Sequence, residues 1–220
     1  MNSTADQSTT YHVDAEHGRL RLVVLLLFLG VWLISYFIFA NLVVSNGLNL
    51  IAVVFSFAVA YVVTNLVEKQ LKTRWPSGRT ITVDSEGVRL ARSGQQEQEM
   101  RADQAVNQLY WRFTVRKRSR VPKGWLMYAC ALEHEEKHLT VYTFLPPSSV
   151  EDYDRARLFT PLTGKKDAPG RTDLRLAGEQ RRLRDAENYR WLNGAEMSAD
   201  DFKRYVEQLH SQFPEWSPLQ

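Results

Sequence analysis

LVVLLLFLGVWLISYFIFANLVVSNGLNLIAVVFSFAVAYVVTNLV, residues 22–67, holds no Asp, Glu, Lys or Arg over 46 positions. In a chain of 220 residues that is 24% charged, such a gap marks a segment suited to a solvent other than water. A bilayer core takes about 20 apolar residues per helix. Residues 22–40 supply 19, of which 14 are Leu, Ile, Val or Phe, and residues 48–67 supply 20, with 12 of those types. Near the bilayer centre each such side chain favours insertion by roughly 0.3–0.6 kcal/mol, so either segment gains several kcal/mol. Asn46-Gly47 between them is a turn signal. So short a connector predicts an antiparallel transmembrane hairpin, with helices at about 20–41 and 48–68. The first segment is longer than the 7–15-residue apolar region of a cleavable signal peptide, and no small-residue cleavage motif follows it. It is expected to be retained.

The flanks set an orientation. Arg19 and Arg21 precede the first helix, Lys69, Lys72 and Arg74 follow the second, and the connecting loop carries no cation. By the positive-inside rule both termini of a multi-pass protein are expected in the cytoplasm. No ionisable group lies mid-membrane, so a proton or ion path through the hairpin is not expected. Ala52, Ser56, Ala60 and Thr64 recur every fourth residue and place small side chains on one face of the second helix. Such a stripe lets helix backbones approach closely in lipid. It fits the first helix of the same chain, another membrane subunit, or a second copy.

After Glu68 about 150 residues remain, enough for one compact domain. The net charge of +3 is too small for bulk nucleic-acid binding, and no specific nucleic-acid partner is expected. A single cysteine, Cys130, excludes an intramolecular disulfide; it sits in an apolar run and is read as core. Trp75-Pro76-Ser77-Gly78 reads as a hinge, and beyond it the hydrophobic period becomes two. Residues 80–83 and 88–91 alternate around the turn Asp84-Ser85-Glu86-Gly87, a β-hairpin signature. Further strands are expected at 109–117, 125–132 and 139–145, the last ended by Pro146-Pro147. Ser148 with Glu151 forms a capping box that predicts a helix to about Phe159. Residues 163–172 read as a loop and 173–190 as a charged helix rich in Arg171, Arg175, Arg181, Arg182 and Arg184 at its margins and within it. Ser198 caps a last amphipathic helix with Phe202, Tyr205, Val206, Leu209 and Phe213 on one face. Strands first and helices last predict an α+β fold. The expected divisions are a polar tail at 1–18, the hairpin at 19–72, a β domain at 75–162 and a charged helical region at 163–220, which stands apart or completes the β domain.

The order of these elements, together with residues 79–94, RTITVDSEGVRLARSG, resembles the bacterial PH-like membrane proteins, in particular the YcxB-like kind. The likeness covers about residues 20–160. It implies a membrane hairpin followed by a PH-like antiparallel β domain closed by a helix, either the one at Ser148 or the one at 199–213. It further implies a non-catalytic cytoplasmic module that contacts partners and needs no cofactor.

One string carries catalytic chemistry in other contexts: His134-Glu135-Glu136-Lys137-His138 matches His-Glu-x-x-His. On a helix that spacing brings both histidines to one face as zinc ligands, with the glutamate as general base. A membrane zinc metallopeptidase would use His134, His138 and Glu135, with Glu151, Glu179 or Glu187 as third ligand. The neighbouring sequence argues instead for a β-hairpin tip, because Leu139-Thr140-Val141-Tyr142-Thr143-Phe144 is rich in β-branched and aromatic residues. A second feature is a basic run. Between Asp103 and Glu133 there is no acidic residue, and Arg112, Arg116, Lys117, Arg118, Arg120 and Lys123 give +6, interleaved with Trp111, Phe113 and Trp125. Close to an anionic leaflet each cation contributes about 1 kcal/mol, so the run is a candidate contact for lipid or an acidic partner. It also fits a solvated strand edge. The leading expectation is a scaffold, accessory or regulatory subunit of a membrane complex. The alternatives are the zinc peptidase and a small membrane regulator or immunity-type protein.

Overall fold

The structure is a computed structural model that describes residues 8–15, 17–42, 50–115, 121–153, 158–162, 178, 181–182, 184–189 and 194–216. It divides into two compact units, Ala15–Ser77 and a second made of Met1–Asp14 with Gly78–Gln220.

The first unit is the helical hairpin. Helix α1 spans Gly18–Leu42 and α2 spans Leu50–Arg74, 25 residues each. At 1.5 Å per residue each is about 37 Å long, more than the roughly 30 Å of a hydrocarbon core. Both are long and apolar enough to cross a membrane. Their polarity is inverted relative to a water-soluble pair. Leu22, Leu26, Ile34 and Phe37 of α1 and Ile51 and Phe55 of α2 are exposed, whereas the buried positions of α2 are Ala52, Ser56, Ala60 and Thr64. Small residues at the seam let the two backbones come close, and bulky ones face outward where lipid would meet them. Phe28 and Phe57 stack edge to face across the pair at 5.2 Å. At the base, His17 Nδ1 accepts from the Leu20 amide at 3.2 Å. That bond satisfies an orphan donor of the first turn. The His17 ring packs against Trp75 at 5.5 Å, joining the start of α1 to the end of α2. Helix α2 runs through Arg74, six residues beyond the predicted end near 68. Glu68 and Lys72 form an i,i+4 ion pair at 2.8 Å. Such a pair suits a solvated last turn and accounts for the extension.

The second unit is built on two sheets. Strand β1 (Thr9–His12) pairs antiparallel with β2 (Arg79–Asp84), from Thr9 opposite Val83 to His12 opposite Thr80. The hairpin is therefore an insertion between two neighbouring strands of one sheet. Residues 9–12 of the stretch read as a polar tail are thus a strand, and residues 1–7 lie outside the described residues. Strand β2 continues into β3 (Gly87–Arg92) and β4 (Gln95–Arg101), giving the order β1-β2-β3-β4. The β2–β3 turn is the expected one: Asp84 Oδ1 accepts from the amides of Glu86 and Gly87 at 3.0 and 3.2 Å. Gly87 has φ +147°, and a Cβ there would collide with the Met100 carbonyl oxygen. Only glycine fits that position. The β3–β4 link, Ser93-Gly94, has φ of 49° and 83°. These are the positive pair of a primed hairpin turn. Strand β4 (QQEQEMR) has no alternating apolar pattern and was not expected. It lies at the edge of its sheet, where only Met100 has to reach the core.

The second sheet has the order β8-β5-β6-β7-β9. Strands β5 (Asn107–Thr114), β6 (Leu126–His134) and β7 (Lys137–Leu145) form an antiparallel meander, matching the three expected strands. Two short strands, β8 (Thr160–Pro161) and β9 (Ala195–Glu196), join its edges in parallel. Ile81, Val83, Val88 and Leu90 of the first sheet share a core with Tyr128, Cys130, Leu132, Leu139 and Val141 of the second. Helix α4 (Ala199–Gln212) contributes Phe202, Tyr205, Val206 and Leu209 to that core. Ser198 caps α4 as predicted, its Oγ accepting from the Asp201 amide at 3.2 Å. At roughly 1.5–3 kcal/mol per fully buried large side chain, this face holds α4 against the domain far more strongly than its cap does. The helix expected from Ser148 differs. Residues Pro147–Ser149 form a 3-10 turn whose N-cap makes no side-chain hydrogen bond, α3 follows at Val150–Tyr153, and residues 154–157 of the expected helix lie outside the described residues. Proline at the first position sets the turn. Phe159 is not helical but buried in the core.

The outer face of the second sheet is also covered. Trp111, Phe113, Met127, Ala129, Ala131 and Tyr142 form a second cluster there with Leu162 and Ala186. Of the stretch after 163, β9 and α4 are packed into the β domain, whereas residues 163–177 and 190–193 lie outside the described residues.

Candidate functional site

The zinc string falls on strand, turn and strand. Strand β6 ends at His134, β7 starts at Lys137, and Glu135 at the turn has φ 53°. His134 pairs with Lys137 and Glu133 with His138. Successive positions of a strand point to opposite faces, so His134 and His138 lie on opposite sides of the sheet. His134 Nδ1 sits 3.0 Å from the Ala105 carbonyl oxygen. His138 Nδ1 sits 3.1 Å from Glu133 Oε1, and its ring stacks on Tyr189 at 4.3 Å. The helical geometry that makes His-Glu-x-x-His a zinc site is not formed, and Glu135 has no pair of ligands beside it. Among the described residues no three His, Cys, Asp or Glu side chains could hold a metal ion together. Of the candidate third ligands, Glu151 lies in α3, Glu187 lies in a helical stretch at 184–189, and Glu179 lies outside the described residues.

Of the basic run, Arg112 is central in β5, opposite Tyr128, and Lys123 is exposed before β6. Arg116, Lys117, Arg118 and Arg120 lie outside the described residues. Arg112 is half-buried rather than solvated, between the buried Trp111 and Phe113. Strand alternation puts it on the opposite face from those two rings.

The stripe Ala52, Ser56, Ala60 and Thr64 is buried inside the hairpin, at most 6% exposed. It meets α1 of the same chain, the first of the three partners that the spacing allowed, and not another subunit or a second copy. The burial follows from shape: only small side chains allow close approach, and α1 is the nearest helix available.

Sequence reasoning missed one concavity. A cavity of about 420 Å³ opens on the outer face of the second sheet, lined by Leu109, Trp111, Glu133, Leu162, Asp185 and Tyr189 among others. Trp111 Nε1 is buried there without a hydrogen-bond partner among the described residues. The only signal in the sequence was the alternation of Leu109 and Trp111, which places both on one face.

The core holds Cys130, Tyr110 and Tyr205 in their protonated forms. Burial pushes the Cys130 thiol up to about 12 and raises Tyr110 and Tyr205 further. A thiol so placed is inert, since the thiolate is the reactive form. Comparison of the chain with protein-family models, with curated proteins and with solved structures finds no match.

Proposed function

We propose that this chain is a membrane-anchored, non-catalytic interaction module. In this reading the hairpin crosses a bacterial cytoplasmic membrane twice, and the β domain acts in the cytoplasm as the contact surface of a scaffold, accessory or regulatory subunit. One observation carries the reading: a lipid-length hairpin is inserted between β1 and β2, two strands bonded to each other. Paired strands share one side of a bilayer, so a hairpin between them that enters the bilayer must return. The Arg and Lys residues at both helix ends favour the cytoplasm for that side.

The PH-like assignment is supported by the layout of the β domain. Four antiparallel strands are followed by a three-strand meander, and an amphipathic C-terminal helix packs on the core between them. The partner would be another membrane protein or a second copy, engaged through the β domain.

Recovery from mild detergent after crosslinking tests this. The full chain is expected to retain a defined membrane protein, or itself, in stoichiometric amount. A hairpin-only variant, residues 15–77, is expected to lose it. Equal recovery with the hairpin alone would remove the interaction role from the β domain.

A further inference from the structure

Within the hairpin unit a groove of about 300 Å³ lies between α1 and α2, lined by Arg21, Val24, Leu25 and Phe28 of α1 and by Thr64 and Glu68 of α2. The α1 residues stand at i, i+3, i+4 and i+7, which puts them on one helix face; Thr64 and Glu68 are one turn apart on α2. From the open end of the hairpin inward, the groove presents a guanidinium and a carboxylate, then a hydroxyl, then apolar side chains. Those are the complements, in order, of a zwitterionic headgroup, a glycerol ester and an acyl chain.

Two details sharpen the match. Thr64 Oγ1 is buried and has no hydrogen-bond partner among the described residues. Threonine in a helix has two χ1 positions open to it, and no polar contact holds this one. Glu68 Oε1 lies 2.8 Å from the Lys72 ammonium. A carboxylate offers about four acceptor sites, so that contact does not exhaust it.

We propose that this groove holds one molecule of phosphatidylethanolamine. Its phosphate lies on Arg21, its primary ammonium donates to Glu68, Thr64 reaches an ester carbonyl, and one chain runs along Val24, Leu25 and Phe28. The two opposite charges that line the groove select the headgroup. A choline headgroup has no N–H to donate to Glu68. An anionic glycerol headgroup would bring a phosphate beside Glu68 with no ammonium of its own. The inference rests on the membrane-spanning reading above.

The test uses the full chain in mild detergent, supplied with phosphatidylethanolamine, phosphatidylcholine or phosphatidylglycerol of identical acyl chains, and counts bound lipid by native mass spectrometry. One phosphatidylethanolamine is expected to be retained over either competitor by about fivefold or more, the scale of one charge-assisted hydrogen bond. Glu68→Gln is expected to bring it down to the phosphatidylcholine level, and Arg21→Gln to lower all three lipids. Far-UV circular dichroism checks that both variants keep the wild-type helix content. Equal retention of the three lipids, a preference for phosphatidylglycerol, or an unchanged preference in Glu68→Gln would overturn the proposal. Alkaline carbonate extraction separates the two readings. A chain that stays with the membrane yet shows no lipid preference overturns this inference alone; a chain that is extracted overturns the spanning reading and this inference with it.

Discussion

Arg79 joins three parts of the chain that are remote in sequence. Its Nε donates to Glu97 Oε2 at 2.7 Å, and its Nη1 donates to Asp14 Oδ2 at 2.8 Å and to the Gly194 carbonyl at 3.0 Å. Asp14 in turn accepts from the Glu196 amide at 2.9 Å. The side chain is buried, so Arg79→Met takes a charged partner from Asp14 and from Glu97, which keep the Glu196 amide and the Arg92 guanidinium respectively, and removes a donor from the Gly194 carbonyl. A loss of about 2–3 kcal/mol is expected, less than for a fully buried pair because Asp14 and Glu97 keep some water. Arg79→Lys should recover only part of it, since an ammonium lacks the planar fork. Thermal unfolding of both variants in detergent checks the order. Cys130 gives a pH prediction. Its thiol is raised from 9.0 to about 12 by burial, so the folded state holds a proton that the unfolded chain gives up. Stability is fully present below about pH 9 and falls as pH rises toward 12. Buried Tyr110 and Tyr205 act in the same direction. Cys130→Ala should flatten the first part of that decline; an unchanged slope just above pH 9 would assign the decline to the tyrosines. The burial of Cys130 was legible in its apolar run, but the role of Arg79 could not be read from its neighbours in sequence. Arg79 looks like an ordinary flank of a strand until its partners at 14, 97 and 194 are brought beside it.

At the scale of elements, what was legible was whatever announces itself locally. Strands β2 and β3 alternate around a turn whose Asp84 and Gly87 have chemical reasons to be there, and β5 to β7 are apolar enough to stand out. The β6–β7 reading also decided the histidine string, because a two-residue turn at Glu135-Glu136 leaves no helix to gather the rings. Strands β1 and β4 were silent. Thr9–His12 and Gln95–Arg101 are polar, and they are strands because an existing edge offers backbone partners. Ladder hydrogen bonds do not depend on side-chain type, so such edges leave little trace in composition. Strand β1 has a measurable role. It and the residue after it bury Tyr11 and Val13, at 4% and 2% exposure, and cover the edge of β2. Deleting residues 1–14 is expected to cost up to about 5 kcal/mol and to leave an unpaired edge that aggregates. Retention of the full melting temperature by the deleted chain would show that β1 adds nothing.

At the scale of the molecule, the insertion of the hairpin between β1 and β2 makes topology the decisive measurement. With a membrane-impermeant maleimide, Asn46→Cys is expected to label from outside the cell and His12→Cys only after the membrane is opened. The native Cys130 is buried and should give little background. Labelling of intact cells at His12→Cys but not at Asn46→Cys would reverse the orientation, and labelling at neither position until the membrane is opened would mean that the hairpin does not cross. The amino-acid sequence by itself determined the hairpin, the α+β class, the β2–β3 turn and the capped last helix. Each of these rests on residues close together in the chain, through apolar length, turn chemistry or helical spacing. Only the tertiary structure decided that residues 9–12 and 195–196 belong to the sheets, that the small-residue stripe is filled by α1, and that His134 and His138 face apart. Those outcomes depend on which backbone edges and surfaces meet across long separations, and the free energy of such meetings is not written at any one position.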